Sequence, residues 1–251
     1  MRENAVKRLW REDRPAYGGW LTIGNSFTAE VMAHQGLDWL VVDLQHGIID
    51  YETMVPMLQA ISTTETTPIV RVPWNEPGIL MKALDAGAYG VIVPLVNDRA
   101  QAEAAVAACR YPPLGARSYG PARAMYYAGA DYIKGANDEV LVIAQIETVE
   151  ALDNLEAIVA VPGLDAVYIG PQDLTISLGL APEMDGEAAE YVKARRRVVE
   201  ACRGTGVTPG IHSRPQTAQK RIEEGFRMVL ATMDLRALVR AAREDIEAAR
   251  G

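Results

Sequence analysis

The sequence predicts a (β/α)8 TIM barrel built as a single domain over residues 1–251. Short runs rich in Val, Ile and Leu recur eight times with longer amphipathic segments between them, the pattern of βα units on a parallel sheet. The chain has 251 residues, the usual size of one such barrel. The competing doubly wound sheet carries a G-x-G-x-x-G turn after its first strand, and that turn is absent here.

The first strand is predicted at Tyr17 to Ile23, before a helical pattern at Thr28–His34. Strand two, Trp39 to Asp43, precedes Met54–Ile61; strand three, Pro68 to Val72, precedes Pro77–Ala86; strand four, Gly90 to Leu95, precedes Arg99–Cys109. Strand five, Val140 to Ile146, leads to Glu150–Val159, and strand six, Ala166 to Ile169, to Ala188–Cys202. Strand seven, Thr208 to Ile211, leads to Pro215–Glu224, and strand eight, Arg227 to Ala231, to a final helix at Leu235–Ala249. Leu235, Leu238, Val239, Ala242, Ile246 and Ala249 give that helix one apolar stripe, which something must cover. One interval breaks the rhythm. Arg110 to Glu139 has no strong apolar run, and a segment of that length in a compact domain is expected to form a functional loop, here one that caps the site.

Composition narrows the function. With 25 basic and 33 acidic side chains the net charge is −8, and neither a clustered Lys/Arg stripe nor an aromatic-rich patch marks a nucleic-acid surface. Apolar residues make up 49%, enough for a sizeable core, while no apolar stretch approaches the roughly 18 residues of a membrane span. Met1 to Asp13 lacks the apolar core of an export signal, so a cytoplasmic location is expected. Cys109 and Cys202 lie in helical patterns without metal-type spacing and read as reduced thiols. A small molecule is the expected partner.

Active sites of such barrels lie at the C-terminal ends of the strands, where this chain places Asp43-Leu44-Gln45-His46-Gly47, Arg71-Val72-Pro73, Gln145-Ile146-Glu147 and Gly170-Pro171-Gln172-Asp173. Strand alternation turns Gln145 and Glu147 the same way, and the next strand brings Asp173 to the same rim. Two carboxylates with water and substrate oxygens suit Mg²⁺ or Mn²⁺; the alternative is that each caps a helix. His46, at a strand-to-loop junction, is a candidate general base or a structural histidine, with Asp43 and Asp85 as candidates to fix its tautomer. Arg71 is placed to clamp a carboxylate or stabilise an enolate, or else to pair with a neighbouring Asp. The segments after strands seven and eight, beginning His212-Ser213 and Thr232-Met233, are not the glycine-rich loops that hold phosphates. None of the five lysines sits in a strand, which disfavours an imine mechanism.

From Gly19-Trp20-Leu21 through Gln45-His46-Gly47, Val70-Arg71-Val72, Leu84-Asp85-Ala86-Gly87-Ala88, Gly115-Ala116-Arg117, Gln145-Ile146-Glu147-Thr148 and Tyr168-Ile169-Gly170-Pro171 to Pro209-Gly210-Ile211, nearly the whole chain resembles one family. It is similar to the metal-dependent class II pyruvate aldolases of the aldolase/citrate lyase family, which includes 4-hydroxy-2-oxoheptanedioate and 2-keto-3-deoxy sugar-acid aldolases. The resemblance implies a barrel of the phosphoenolpyruvate/pyruvate-binding type that cleaves a 4-hydroxy-2-oxoacid to pyruvate, or hydroxypyruvate, and an aldehyde. It implies Mg²⁺, Mn²⁺ or Co²⁺ on Glu147 and Asp173, His46 as base supported by Asp43 and Asp85, and Arg71 as the enolate-stabilising cation. Gln145 would assist beside the metal, and the turn of Gly170, Pro171 and Asp173 would receive the substrate carboxylate. It further implies a homohexamer, a trimer of dimers that exchanges C-terminal helices. The chain departs from the family pattern at Gln45, at Ser118-Tyr119-Gly120 and at His212, where an apolar residue is commoner. His212 therefore joins the candidate substrate-binding residues, favouring small polar partners. A related acyl-CoA lyase and a non-catalytic 2-oxoacid-binding protein are the competing readings.

Overall fold

The computed structural model describes residues 1–251 and shows a closed barrel of eight parallel strands in sequential order. They are β1 (Ala16–Leu21), β2 (Trp39–Asp43), β3 (Thr67–Arg71), β4 (Gly90–Val93), β5 (Leu141–Ile146), β6 (Ala166–Ile169), β7 (Thr208–Ile211) and β8 (Met228–Met233). Strands β2, β6 and β7 match the predicted bounds, and the other five shift by one or two residues at one or both ends. Their near-continuous apolar runs follow from burial on both faces. Inward side chains, including Trp39, Ile69, Ile143 and Leu230, fill the barrel, while the outward ones pack under the surrounding helices.

Helices α1 (Ala5–Arg11), α2 (Ser26–Ala33), α3 (Tyr51–Ile61), α4 (Pro77–Asp85), α5 (Arg99–Cys109), α6 (Ala124–Ala128) and α7 (Tyr132–Glu139) precede β5. Next come α8 (Val149–Asp153), α9 (Leu155–Val159), α10 (Pro171–Ser177), α11 (Ala189–Cys202), α12 (Ala218–Glu224) and α13 (Asp234–Arg250). The sequence reading missed α1, whose Val6 and Leu9 join the barrel-interior cluster and plug its N-terminal end. The helix predicted at Glu150–Val159 is two short helices meeting at Asn154. Cys109 and Cys202 are free and buried, their thiols pushed up to about 12 by burial. No helix is long and apolar enough to cross a membrane.

The segment from Arg110 to Glu139 does not cap the site, contrary to the expectation. It connects α5 to β5, and helix-to-strand connections run across the N-terminal end of a barrel, opposite the site. It folds into α6 and α7 and is tied to the C-terminal ends of α3 and α4, with Arg123 donating to the Ala86 carbonyl and to Ser62 Oγ, both at 2.8 Å. Inside it, Arg117 donates to Asp85 at 2.7 Å and to the Tyr132 hydroxyl at 2.9 Å.

Candidate active site

At the C-terminal end of the strands lies a cavity of about 280 Å³, lined by Trp20, Asp43, His46, Arg71, Gln145, Tyr168, Gly170, Pro171, Asp173, His212 and Arg236 among others. The parallel register sets Asp43, the last residue of β2, opposite Arg71, the last of β3. Their side chains form a bidentate pair, Arg71 Nε to Asp43 Oδ1 at 2.9 Å and Nη2 to Oδ2 at 2.6 Å. Trp20 Nε1 donates to the same Oδ2 at 3.0 Å, and the Arg71 guanidinium lies 4.8 Å from the Trp20 ring centre. Burial opposes the charge on Asp43, but Arg71, Trp20 and the His46 N–H outweigh it and hold the carboxyl below its ordinary value. The ion pair offered as one reading of Arg71 is therefore present, and it leaves Nη1 without a protein acceptor.

Glu147 lies behind the cavity wall. Its Oε1 accepts from the Leu95 N–H at 2.8 Å and its Oε2 from Gln145 Nε2 at 2.5 Å. Burial first, and the Asp173 charge second among the raising causes, push its carboxyl above the ordinary value. Gly170 makes this packing possible, because a Cβ there would stand 2.4 Å from Glu147 Oε2 and 2.7 Å from Gln145 Nε2. Neither carboxylate is a helix cap. Thr148 caps α8 through its hydroxyl, and α10 has no side-chain cap, so the first-turn N–H groups of Gln172 and Asp173 have no side-chain partner at the cavity.

No three or more His, Cys, Asp or Glu side chains converge, which excludes a metal site closed by the protein alone. Two carboxylates beside an orphaned buried oxygen, Gln145 Oε1, fit a hard cation that keeps several waters and takes substrate oxygens.

His46 is exposed, and its ring makes no hydrogen bond within the chain; Asp43 instead accepts from the backbone N–H groups of Gln45 and His46, at 3.0 and 3.2 Å. Asp85 ends α4 at the opposite end of the barrel and pairs with Arg117, so within this chain it does not support His46. His212 lies edge-on to Trp20, with ring centres 4.9 Å apart, and its pKa is pushed down to about 3 by burial, with Arg71 and Arg236 adding to the effect. It is a neutral imidazole on the cavity wall and makes no bond to the Arg110–Glu139 segment. Trp20, Tyr168, Met184 and Arg236 were not among the candidates. Strand alternation on β1 and β6 could have supplied the first two, whereas the last two come from loop and helix positions with no periodic signal.

The sequence profile of the HpcH/HpaI aldolase/citrate lyase family matches residues 17–241. The chain belongs to this family. It is 43% identical over 248 residues, 98% of this chain and 99% of the relative, to a hydroxypyruvate/pyruvate aldolase of Rhizorhabdus wittichii. It is 38% identical over 244 residues, covering 96% and 92%, to a 4-hydroxy-2-oxo-heptane-1,7-dioate aldolase of Salmonella dublin. A solved HpcH/HpaI aldolase/citrate lyase family protein of Burkholderia cenocepacia superposes with a TM-score of 0.91 at 34% identity, covering 99% and 100% of the two chains. Membership of this family makes the chain an aldolase, a carbon–carbon lyase.

Proposed function

We propose that this aldolase reversibly cleaves a 4-hydroxy-2-oxoacid to pyruvate, or hydroxypyruvate, and an aldehyde, with Mg²⁺, Mn²⁺ or Co²⁺ held by Glu147 and Asp173. The observation that carries the reading is Asp173 and the open edge of Arg71 at one cavity, with Glu147 just behind its wall and within reach of the Asp173 charge. A bound cation supplies Lewis acidity toward the 2-oxo oxygen. The first-turn N–H groups of Gln172 and Asp173, beside Gly170 and Pro171, receive the substrate carboxylate. Gln145, on the cavity wall with an unpartnered Oε1, holds Glu147 through its amide N–H. His46 accepts the proton of the 4-hydroxyl, whose O–H pair forms the aldehyde carbonyl as the bond between carbons 3 and 4 breaks; that bond's pair becomes the carbon 2–carbon 3 double bond, and the carbonyl π pair moves onto the 2-oxo oxygen. Arg71, fixed by Asp43, donates through Nη1 to the enolate, which takes a proton at carbon 3 to become pyruvate. His212 offers an uncharged hydrogen-bonding ring to the aldehyde end, which favours small polar acceptors such as glycolaldehyde.

Assembly into a homohexamer belongs to the same proposal. On α13 only Asp234 is buried, and Leu235, Leu238, Val239 and Ile246 are left 40–61% exposed, while Tyr126 on the Arg110–Glu139 segment is 92% exposed. Exchange of α13 between copies would cover the helix stripe.

The test is exchange of the pyruvate C3 protons in D₂O followed by NMR, with Mg²⁺ and with chelator. Exchange that requires Mg²⁺ supports the reading, and its absence under both conditions overturns it.

A further inference from the structure

The connection from α10 to α11, residues 178–188, has no helix or strand of its own, and most of it is exposed. Met184 nevertheless reaches the cavity: it is 9% exposed, lines the wall, and its sulfur accepts from Arg236 Nη1 at 3.2 Å. A segment with few backbone hydrogen bonds of its own does not fix a side chain, so the residues beside Met184 must supply the hold.

The three residues after Met184 enter a buried ionic cluster formed with α11 and α12. Asp185 accepts at 2.8 Å from the hydroxyl of Thr217, which precedes α12, and pairs with Arg221 at 3.6 Å. The Gly186 carbonyl accepts from Arg195 Nη1 at 2.8 Å. Glu187 pairs with Lys220 at 2.8 Å, with Arg221 at 3.6 Å and with Arg195 at 3.9 Å. Arg195 and Arg221 are 2% and 0% exposed, and Glu224 joins them at 3.3 and 2.6 Å.

Apart from Asp185 and Glu187, the one carboxylate within ion-pair distance of either buried guanidinium is Glu224. Lifting the segment would leave two desolvated cations to share a single acid, which burial makes costly. Asp185 also meets Arg214 at 3.7 Å, but that side chain is mostly exposed and adds little. The grip is therefore set by the two buried arginines, and it acts on the residue next to Met184.

The groups proposed for the 2-oxoacid are carried by β3, β5 and the first turn of α10, whereas Met184 shares its side of the cavity with Met233 at the end of β8 and with Leu235 and Arg236 on α13. That side is left to the second component, the aldehyde.

We propose that Arg221 is a positioning residue: through Asp185 and Glu187 it fixes Met184 as the wall against which the aldehyde packs. The inference rests on the aldolase reading and adds to it a residue that lies outside the cavity lining.

The test measures KM for glycolaldehyde in condensation with pyruvate beside the rate of pyruvate C3 exchange, both with Mg²⁺. Arg221→Met removes the charge, and Asp185→Ala severs the grip from the segment side. Each should raise KM for glycolaldehyde by about tenfold and leave C3 exchange within about twofold of wild type, because a displaced wall affects the partner it contacts. Asp185→Ala leaves each guanidinium a carboxylate and so decides the question even where Arg221→Met does not fold. Arg221→Lys, which keeps the charge, should retain more of the wild-type KM than Arg221→Met. Met184→Ala should raise KM by a similar factor, and adding Asp185→Ala to it should bring no further rise, since residues that act through one contact are not additive. An unchanged KM in Asp185→Ala or in Met184→Ala, an equal loss in C3 exchange, or effects that multiply in the double variant overturns the proposal. Wild-type exchange separates the two levels. Exchange together with any of those results refutes the Arg221 assignment alone; neither exchange nor condensation in the wild type refutes the aldolase reading and the Arg221 assignment with it.

Discussion

His212 gives a pH-dependent stability that can be worked out in advance. Its folded pKa is about 3, against 6.5 for the free side chain, because burial between Trp20 and Tyr168 and the charges of Arg71 and Arg236 disfavour the imidazolium. The group is uncharged in the folded protein and takes a proton in the unfolded chain once the pH drops below 6.5. Its stabilising contribution is therefore complete above that value and is lost progressively as the pH falls toward 3. For any folded pKa under about 4, the loss between pH 7 and pH 5 depends only on the unfolded value and comes to about 2 kcal/mol. Asp43, held below the ordinary carboxylate range, keeps its charge throughout this window. The perturbation is His212→Leu, assayed by urea denaturation of both proteins at pH 7 and pH 5. Other titrating groups contribute equally to both, so the difference between the two pH-induced losses isolates His212. Wild type should lose about 2 kcal/mol more than the variant across the window. Equal losses would show that His212 already exchanges protons freely with solvent in the folded state and would remove the argument that it is an uncharged wall of the cavity.

The other predictions concern chemistry and packing. Glu147→Gln should abolish the shift in thermal midpoint produced by Mg²⁺ while leaving a folded protein by circular dichroism; an unchanged Mg²⁺ response would remove Glu147 from the cation site. His46→Ala should reduce kcat for aldol cleavage by about two to four orders of magnitude, the usual contribution of a positioned base, and near-normal turnover would assign the proton transfer to another group. Asp43→Ala leaves Arg71 buried and unpaired and should cost about 3–5 kcal/mol in denaturant unfolding, whereas a loss under 1 kcal/mol would mean the pair is solvated. His212→Leu should also lower the kcat/KM ratio of glycolaldehyde to butanal, and an unchanged ratio would mean that His212 does not read the aldehyde.

The barrel was legible because most strands are buried on both faces, so β2 and β6 could be bounded from their apolar runs alone. The same runs marked the site, since a polar residue ending an apolar strand of a barrel sits at its rim, as Asp43 and Arg71 do. Helix α1 escaped notice because Lys7, Arg8 and Arg11 mask the two positions, Val6 and Leu9, that plug the barrel. Asp85 is a different case, standing within this chain at the far end of the barrel from His46. Spacing identifies a carboxylate at the end of a helix, but only the direction of the helix reveals that this end lies away from His46.

The hardest relations to read are those created by closure. β1 pairs with β8 although more than two hundred residues separate Ala16 from Met228, and no local period records that contact. Yet this seam builds one side of the cavity: Trp20 on β1 donates to Asp43 and lies against both Arg71 and His212, while Asp234, after β8, clasps Thr22 and Ile23. The catalytic candidates come from polar residues at strand ends, which the sequence displays. The residues that orient them and give the pocket its far wall depend on which strand ends up beside β1. A change at the seam should therefore act on the site without touching a candidate residue. Asp234→Ala removes the acceptor for the Thr22 and Ile23 N–H groups and frees the first turn of α13. Its effect should fall on KM for the aldehyde, through the wall residues carried by α13, more than on pyruvate C3 exchange, which depends on groups carried by β3, β5 and α10. Equal loss in both measurements would show that the seam supports the whole barrel mouth and not its far wall alone.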